Sequence, residues 1–416
     1  MTALPEPTEH DVIVVGGGPA GSVTAGLLAQ RGRRVLVLER ERFPRYHIGE
    51  SLITGMLSVM EELGLSERLE AMGFPRKYGV SLVWGRDKQL WNVRFAEAGG
   101  YEYSFHVRRA EYDQLLLTRA AELGATVVEE ATVKEAVVED GRVVGVRYLV
   151  ADDAAPREAR ARLVIDASGQ ARTIARRFTQ VSWDDDLRNI AVWTYFQGCG
   201  SLPAGQVGNI LVEQVPDGWV WAIPVDEGRL SVGYVTATAK FAAAGVEGPQ
   251  LFRRKVAESR ELKALLADAH EDDAFRTTRD WSYVSEHFHG AGWAAVGDAA
   301  AFIDPLFSTG VWLGTMAGWL LANAVDELLS HPDREGRLLT RYAKAYRQLV
   351  DDMSQYVRFF YDSEREREDY FQRAQALQRT TQDVGQPRVA FVATIAGIAA
   401  LRTLLDAIDE EMPAAA

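Results

Sequence analysis

A glycine-rich loop near the start of the chain leaves few folds open to it. Residues 11–15 form a short apolar run of the strand type, and the sequence Gly-Gly-Gly-Pro-Ala-Gly follows at 16–21. A helical stretch then continues to about residue 31, and residues 34–38 predict a second strand that ends at Glu39. A strand, a crossover helix and a second strand in this order predict a βαβ unit of a parallel sheet.

The glycines have separate physical roles in such a unit. Gly16 allows the tight turn, Gly18 lets a pyrophosphate approach the backbone, and Gly21 lets the helix pack closely on the strand. A phosphate would meet the free N–H groups at the helix N-terminus, and Glu39 would accept hydrogen bonds from ribose hydroxyls. The pattern predicts a dinucleotide site. The alternative is a glycine turn without a ligand.

The rest of the chain indicates a second structural unit, because 416 residues are too many for one compact core. Residues 109–123 predict a helix that Gly124 ends, and residues 189–235 have the β-branched and aromatic content of a mainly antiparallel sheet. Residues 309–370 are almost entirely helical in pattern.

The predicted fold class is therefore α/β, with a Rossmann-like cofactor-binding domain, an inserted mainly antiparallel β substrate domain and a helical C-terminal region. The predicted boundaries are 8–75, 104–175 and 275–330 for the discontinuous cofactor-binding domain, 76–103 and 176–274 for the substrate domain, and 331–416 for the C-terminal region.

Charge and cysteine content exclude several classes of protein. The formal net charge is −13, whereas nucleic-acid binding needs a basic face, so we expect no nucleic acid partner. Cys199 alone builds neither a disulfide framework nor a cysteine metal site, and we expect no metal.

The N-terminus lacks an apolar signal core, which predicts a cytoplasmic protein. The apolar run at 389–400 is too short to predict a membrane span; a packed helix, a lid or a lipid-surface helix remain open.

Two patterns suit a ligand site, although each has a plainer interpretation. Trp219 and Trp221 lie two residues apart on a predicted strand, so both indoles face the same side, as a core patch or as a wall. Ser308, Thr309 and Gly310 directly precede an apolar helix, with Ser308 as its predicted N-cap. The free N–H groups of Thr309 and Gly310 suit an anion, but an ordinary capped helix has the same pattern.

Lys77 directly precedes a predicted strand. A single lysine is most often a solvated surface residue. A buried lysine loses its proton more easily, and it would then expose a nucleophilic amine. The residue alone leaves both interpretations open.

Taken with the glycine loop, these patterns resemble those of flavin-dependent halogenases. The matching segments are GWVWAIP at 218–224, FIDPLFSTG at 302–310, GFPRK at 73–77, RYHIGES at 45–51, VRR at 107–109 and GD at 297–298. The resemblance implies FAD as the cofactor of the first domain, a wall at Trp219 and Trp221 that keeps the organic substrate off the flavin, and a catalytic Lys77. It also implies chloride or bromide at Ser308, Thr309 and Gly310. The implied FAD-binding residues are Gly16, Gly18, Pro19, Ala20, Gly21, Glu39, Arg40, Ile48, Gly49, Glu50, Ser51, Arg109, Asp298, Pro305, Gly310 and Val311.

The resemblance is closer to halogenases of phenols and pyrroles than to those of free tryptophan. Phe307 stands where the latter carry a glutamate, just before the Ser-Thr-Gly segment. The implied reaction uses FADH2 from a separate flavin reductase, O2, and chloride or bromide, and it guides hypohalous acid to Lys77 for aromatic substitution in secondary metabolism. Such substrates are often tethered to an acyl or peptidyl carrier protein. Glu50 and His106 are candidate bases for activating the ring.

Two other functions fit parts of the sequence. A single-component FAD-dependent aromatic hydroxylase would share the glycine loop and oxidise NADPH itself, but it would not need the paired tryptophans. A non-catalytic flavoprotein, or a membrane-surface partner that uses the C-terminal apolar helix, would bind FAD without oxygen chemistry. No motif decides whether FAD is attached covalently.

Overall fold

A computed structural model describes residues 10–151, 155–377 and 386–399. The strands are β1 (His10–Val15), β2 (Val35–Leu38), β3 (Arg76–Lys77), β4 (Gly79–Val83), β5 (Leu90–Arg94), β6 (Ser104–Phe105), β7 (Thr126–Val128), β8 (Ala131–Glu139), β9 (Arg142–Val150), β10 (Arg157–Asp166), β11 (Val181–Gln197), β12 (Ile210–Val215), β13 (Gly218–Asp226), β14 (Arg229–Ala237), β15 (His270–Glu271), β16 (Arg276–Ser285), β17 (His289–Gly290), β18 (Trp293–Ala295) and β19 (Ala301–Phe302). The helices are α1 (Pro19–Gln30), α2 (Leu57–Glu62), α3 (Ser66–Ala71), α4 (Arg109–Glu122), α5 (Thr238–Ala243), α6 (Gly248–Glu258), α7 (Arg260–Leu265), α8 (Gly310–Ser330), α9 (Glu335–Tyr361), α10 (Arg367–Leu377) and α11 (Pro387–Ile395).

A largely parallel sheet forms one layer of the molecule. Its strand order is β17-β18-β10-β1-β2-β7, and all neighbours except β17 and β18 run parallel. All of β2 and the last four residues of β1 are buried and apolar, as expected for strands covered on both faces. The carboxyl ends of the parallel strands meet at one edge, where α/β sheets bind ligands.

Helices α1 and α8 pack closely on each other because glycines lie at their contact. A side chain at Gly318 would come within 2.9 Å of the Ala20 carbonyl oxygen, and one at Gly314 within 3.4 Å of the Ala20 methyl group. Glycine permits this close approach of two backbones. As a result, the second and third turns of α8 lie beside the first turn of α1.

The second sheet has the order β19-β16-β11-β14-β13-β12-β4-β5, with β15 paired to β11, and only β12 and β4 pair in parallel. Side chains alternate across a strand. Consequently β13 sends Val220 and Ala222 into a small core that includes residues of α6 and α7, and it sends Trp219 and Trp221 to the opposite face. This alternation places the tryptophans toward the first sheet.

Helix α9 packs against α8 and ends at the second sheet. Its buried stripe continues into an aromatic cluster, in which the Phe360 and Tyr370 ring centroids are 4.4 Å apart. The Trp84 indole nitrogen donates to the Phe360 carbonyl oxygen at 2.7 Å and joins β4 to the end of α9. These contacts bring Tyr361, the last residue of α9, to the face of β13 that carries the tryptophans.

The predicted α/β class is confirmed, with a Rossmann-like sheet, a mainly antiparallel sheet and C-terminal helices. The predicted domain boundaries remain a prediction; β16 lies in the predicted segment 275–330, yet it pairs with β11 of the antiparallel sheet. Within the described ranges, no helix is long and apolar enough to cross a membrane. Residues 1–9 and 400–416, on which the signal-peptide argument and the end of the C-terminal apolar region rest, lie outside the described residues.

Candidate active site

A cavity of about 960 Å³ is lined by residues of both sheets. The loop after β1 and the residues after β2 contribute one part of its wall. The start of α8, the turn after β18 and the tryptophans of β13 contribute another. The cavity therefore joins the carboxyl edge of the parallel sheet to the tryptophan face of the second sheet.

Most residues predicted to bind FAD line this cavity; their individual roles remain predictions. They are Gly16, Gly18, Pro19, Ala20, Glu39, Arg40, Ile48, Gly49, Glu50, Ser51, Arg109, Asp298, Pro305, Gly310 and Val311. Trp219, Trp221 and Ser308 line it as well, whereas Gly21, Thr309 and Lys77 do not.

The glycine loop has the geometry that a pyrophosphate needs. Gly16 has φ +108°, and a Cβ at Gly21 would lie 2.0 Å from the Gly16 carbonyl oxygen, so both positions require glycine. The Gly17 N–H donates to Glu39 Oε2 at 2.6 Å, which holds the carboxylate beside the loop. No side chain caps α1, so its first N–H groups are available to a phosphate. The loop and Glu39 fit the pyrophosphate and ribose of FAD.

Arg109 shapes the segment that follows the first βαβ unit. It donates to both carboxylate oxygens of Asp113, at 2.8 and 2.9 Å, and to the Ile48 carbonyl oxygen at 2.7 Å. Burial opposes ionisation of Asp113, but Arg109 and the neighbouring Arg45 hold its pKa below the usual range. The buried ion pair thus fixes the backbone at Ile48, next to Gly49, and Gly49 lines the cavity.

Asp298 follows β18 at the carboxyl edge of the parallel sheet. Burial raises the pKa of Asp298 to about 6, although the charge of Arg109 opposes the shift. The Tyr283 hydroxyl donates to the Asp298 carbonyl oxygen at 2.6 Å and holds the turn in place. A carboxyl group near its pKa can donate to one hydroxyl and accept from another, which fits the ribityl chain of a flavin.

The start of α8 is open toward the cavity, but its cap differs from the predicted one. Ser308 is not the N-cap: it closes the preceding 3₁₀ turn through a bond from its N–H to the Pro305 carbonyl oxygen, and its φ is 60°. Thr309 takes the cap position and Gly310 begins the helix. A Cβ on Gly310 would meet no atom within 4 Å, and the buried Thr309 hydroxyl has no partner. The first N–H groups of α8 can therefore reach an anion.

Trp219 and Trp221 lie side by side, as the strand pattern predicted. Their ring centroids are 5.9 Å apart with 50° between the planes. Trp221 donates to the Ser231 hydroxyl at 3.3 Å, and its ring crosses Gly233 on β14, where a Cβ would lie only 2.1 Å from the ring. Gly233 was missed in the sequence because its role depends on the register of β13 and β14.

A network of side-chain hydrogen bonds holds Trp219 in place, and the sequence patterns did not predict it. Its indole nitrogen donates to the Tyr361 hydroxyl at 2.8 Å, and Tyr361 donates to Asp304 Oδ2 at 2.8 Å. Asn189 donates to the same oxygen at 2.8 Å. Burial raises the pKa of Asp304 to about 6 against these hydrogen bonds. The network joins the end of α9 and the segment before α8 to the tryptophan pair.

Lys77 is fully buried, so the solvated interpretation is wrong for this residue. Its side-chain nitrogen has no hydrogen-bond partner and lies 5.5 Å from the centroid of the Phe95 ring. Burial lowers the pKa of Lys77 to about 7. Near neutral pH, a large fraction of this side chain is a neutral amine with a free electron pair.

Three further polar side chains belong to the same buried cluster. Ser104 lies opposite Lys77 in the pairing of β3 with β6, and His106, two residues after Ser104, has its side chain on the same face of the strand. The backbone of Ser51 pairs with that of His106 in an isolated antiparallel β-bridge, which places the Ser51 side chain on this face as well. Both serine hydroxyls and His106 Nδ1 are buried without partners. His106 Nε2 is 2.9 Å from the Gly208 carbonyl oxygen, so Nε2 carries the proton and Nδ1 is an acceptor. Burial and the charge of Lys77 lower the pKa of His106 to about 3.

Phe307 packs against aromatic side chains of α9, and its ring centroid is 5.4 Å from that of Tyr356 and 4.8 Å from that of Phe360. The site thus has an aromatic ring where a carboxylate would stand in halogenases of free tryptophan. Of the two candidate bases, His106 belongs to the Lys77 cluster and Glu50 lines the large cavity, and Ser51, next to Glu50 in the chain, belongs to both.

The chain is similar to known halogenases in sequence and in fold. The family model described as tryptophan halogenase matches residues 11–102 and 96–400. Tryptophan 2-halogenase of Chondromyces crocatus is 33% identical over 378 residues, which cover 89% of this chain and 71% of that protein. The 1H-pyrrole-2-carbonyl-(peptidyl-carrier protein) chlorinase of Pseudomonas fluorescens is 28% identical over 378 residues, covering 85% and 84%. The solved structure of the myxobacterial chondrochloren halogenase CndH aligns with a TM-score of 0.82 and 33% identity, covering 95% and 92% of the two chains.

Proposed function

Because this chain belongs to the tryptophan halogenase family and is a flavin-dependent halogenating oxidoreductase, we propose that it chlorinates or brominates a phenol or a pyrrole. The observation that carries the proposal is the burial of the Lys77 amine among three other unpartnered polar groups. Buried polar groups are normally satisfied by hydrogen bonds. A cluster of four that are not satisfied is suited to receive a small polar reactant such as hypohalous acid.

The large cavity would bind the cofactor in one defined orientation. The loop from Gly16 to Gly21 would bind the FAD pyrophosphate, Glu39 the ribose and Asp298 the ribityl chain. Bound as FADH2, the cofactor would give O2 two of the four electrons that it accepts, and the halide would give the other two as it becomes hypohalous acid. A separate flavin reductase would provide the FADH2, and the segment 308–310 would hold chloride or bromide at the positive end of α8.

The tryptophan pair and Lys77 would divide the remaining work. Trp219 and Trp221 would keep the aromatic substrate out of the flavin cavity while smaller hypohalous acid leaves it. Lys77 would then hold that acid by a hydrogen bond or bond to it covalently. In the covalent case, the amine electron pair bonds to the halogen, the halogen–oxygen bond breaks, and the departing hydroxide takes an amine proton to form water.

Transfer to the substrate restores the lysine. An aromatic carbon forms the new bond to the halogen, the nitrogen–halogen bond breaks with its electrons on Lys77, and the ring loses the proton at that carbon. His106 Nδ1, an acceptor in the same cluster, would receive the proton and pass it to the amine.

The proposed substrate is an electron-rich ring held on an acyl or peptidyl carrier protein. Phe307 supports a phenol or pyrrole, because these rings are activated by their own hydroxyl or nitrogen and need no carboxylate at that position. The name of the Pseudomonas fluorescens relative specifies a pyrrole on a peptidyl carrier protein, which supports a carrier for this chain.

Replacing Lys77 tests the proposal. In Lys77→Ala, FAD content and halide-dependent haloamine formation from a trapping amine should stay, while halogenation of a panel of phenols, pyrroles and carrier-bound forms should be lost. Lys134→Ala, which removes an exposed lysine from β8, is the matched control. Halogenation by Lys77→Ala would contradict the role of Lys77. Reduction of the flavin by NADPH alone, without any effect of halide, would instead identify an aromatic hydroxylase.

A further inference from the structure

The proposed reaction consumes protons, and this requirement points to a further function of the cavity wall. FADH2, O2, one halide ion, one proton and an aromatic C–H group yield FAD, the halogenated ring and two water molecules. One proton must therefore enter a largely buried site in every turnover. This requirement for a proton rests on the proposed function, because it follows from the halogenation reaction.

A row of hydrogen bonds leads from the second sheet to the cavity. The Trp193 indole nitrogen donates to the Tyr46 hydroxyl at 2.7 Å, the Tyr46 and Tyr195 hydroxyl oxygens are 3.1 Å apart, and Tyr195 donates to Glu50 Oε1 at 2.6 Å. An indole N–H only donates, and the single Tyr195 proton is used toward Glu50. The Tyr46 proton therefore points to Tyr195, and the whole row is oriented toward the carboxyl group.

The two ends of the row both line the cavity but differ in exposure. Tyr46 is 46% exposed, whereas Tyr195 and Glu50 are buried at 6% and 3% exposure. Glu50 lines the large cavity, and its second oxygen, Oε2, is buried without a hydrogen-bond partner. The row thus begins at a half-exposed tyrosine and ends at a buried carboxyl group of the cavity wall, one oxygen of which has no hydrogen-bond partner.

We propose that Tyr46, Tyr195 and Glu50 form a proton relay from solvent to the flavin cavity. When Oε2 of Glu50 gives its proton to an oxygen atom of the reaction, Oε1 takes the phenolic proton of Tyr195. Tyr195 then takes the proton of Tyr46, and Tyr46 takes one from water. Each tyrosine oxygen loses one proton and gains one, while the carboxyl proton moves from Oε2 to Oε1. Rotation of the carboxyl group and of the two phenolic hydroxyls then restores the starting arrangement.

The charges around the relay suit this task. Burial raises the pKa of Glu50 above its usual range, against the hydrogen bond from Tyr195 and the charge of Arg109, which favours a proton on this carboxyl group. Burial likewise raises the pKa of Tyr195, so the phenol keeps its proton between transfers. The Arg276 guanidinium lies 4.3 Å from the Tyr46 ring centroid and 5.8 Å from that of Tyr195, and it covers the outer part of the row.

Removing one hydroxyl from the middle of the relay tests the proposal. Enzyme loaded with FADH2 is mixed rapidly with O2 and chloride, and haloamine formation from a trapping amine is followed in H2O and in D2O. Tyr195→Phe should slow this step by about a hundredfold or more, the range of general acid catalysis, and should change its solvent isotope effect. Added imidazole, a small proton donor, should restore part of the rate in Tyr195→Phe but not accelerate the wild type.

A second readout needs no flavin. The carboxyl infrared band of Glu50, identified by its loss in Glu50→Gln, should shift in Tyr195→Phe because the hydrogen bond to Oε1 is gone. Tyr234→Phe is the matched control, since it removes a phenolic hydroxyl from β14 on the face of the small core.

The outcomes separate the relay from the proposed function. If Tyr195→Phe matches Tyr234→Phe in rate, isotope effect and infrared band, the relay is refuted. If the wild type itself forms no haloamine, the proposed function fails, and the infrared band then decides by itself whether the hydrogen-bonded row exists.

Discussion

Replacing Lys77 with methionine should make the protein more stable and at the same time unable to halogenate. Methionine keeps most of the apolar volume of the lysine side chain but removes an amine that is fully buried without a partner. An unsatisfied buried polar group costs about 1–3 kcal/mol, and a charged one costs more. A lysine retained for packing alone would give no such gain on removal.

The size of the gain depends on pH in a direction that can be worked out. The pKa of Lys77 is lowered from 10.5 to about 7, so between these pH values the unfolded chain binds more protons than the folded one. Stability of the wild type therefore rises with pH across this window, and its deficit relative to Lys77→Met is greatest at pH 7 and below. The difference of about 3.5 between the two pKa values corresponds to at most about 5 kcal/mol.

Urea denaturation of the FAD-loaded proteins at pH 7.5 and pH 9.5 measures this effect. The free energy of unfolding of Lys77→Met should exceed that of the wild type at pH 7.5, and the excess should shrink by about 2.5 kcal/mol at pH 9.5. Lys134→Met, which replaces an exposed lysine, corrects for changes elsewhere in the chain. Product formation should be absent in Lys77→Met and unchanged in Lys134→Met.

The reasoning would be refuted by a difference between wild type and Lys77→Met that is the same at both pH values. That result would mean that the amine is hydrated or paired in solution. A more stable Lys77→Met that still halogenates would keep the burial argument and remove the catalytic one.

Three more substitutions test other parts of the site. Gly233→Ala should cost about 1–3 kcal/mol of stability and shift the tryptophan emission, because the new methyl group displaces the Trp221 ring. Tyr361→Phe should cost about 1–3 kcal/mol in urea denaturation and raise the yield of haloamine relative to halogenated product, since Trp219 loses its hydrogen-bond acceptor. Arg109→Lys should weaken FAD binding about tenfold in a fluorescence titration, equal to about 1.4 kcal/mol, because one ammonium group cannot replace the paired bonds to the neighbouring carboxylate.

Each of these substitutions has a control that leaves the site alone. Gly336→Ala adds a methyl group in α9 where no atom lies within 4 Å, and it should not destabilise the protein. Tyr234→Phe serves for Tyr361→Phe, and Arg254→Lys, at an exposed position of α6, serves for Arg109→Lys. Equal effects in a variant and its control would show that the assigned contact does not matter.

The sequence alone was enough for those features that depend on neighbours along the chain. The glycine spacing at 16–21 determines a tight turn and a helix start, and the two-residue spacing of Trp219 and Trp221 determines that both rings share a face. These are consequences of backbone geometry over a few residues, and they hold wherever the segment is placed. The cap of α8 was misjudged because the 3₁₀ turn that ends at Ser308 competes with the cap for the same backbone.

Tertiary structure decided which of the residues are chemically unusual. Whether Lys77 is a surface lysine or a neutral amine depends on burial by residues from distant strands, and the Tyr195–Glu50 and Tyr361–Trp219 bonds join residues 145 and 142 positions apart. Desolvation and hydrogen-bond partnership are properties of the folded surroundings, because they depend on which groups replace water around a side chain. A sequence shows the residue types available for such a site, and only the fold determines which of them lose contact with water.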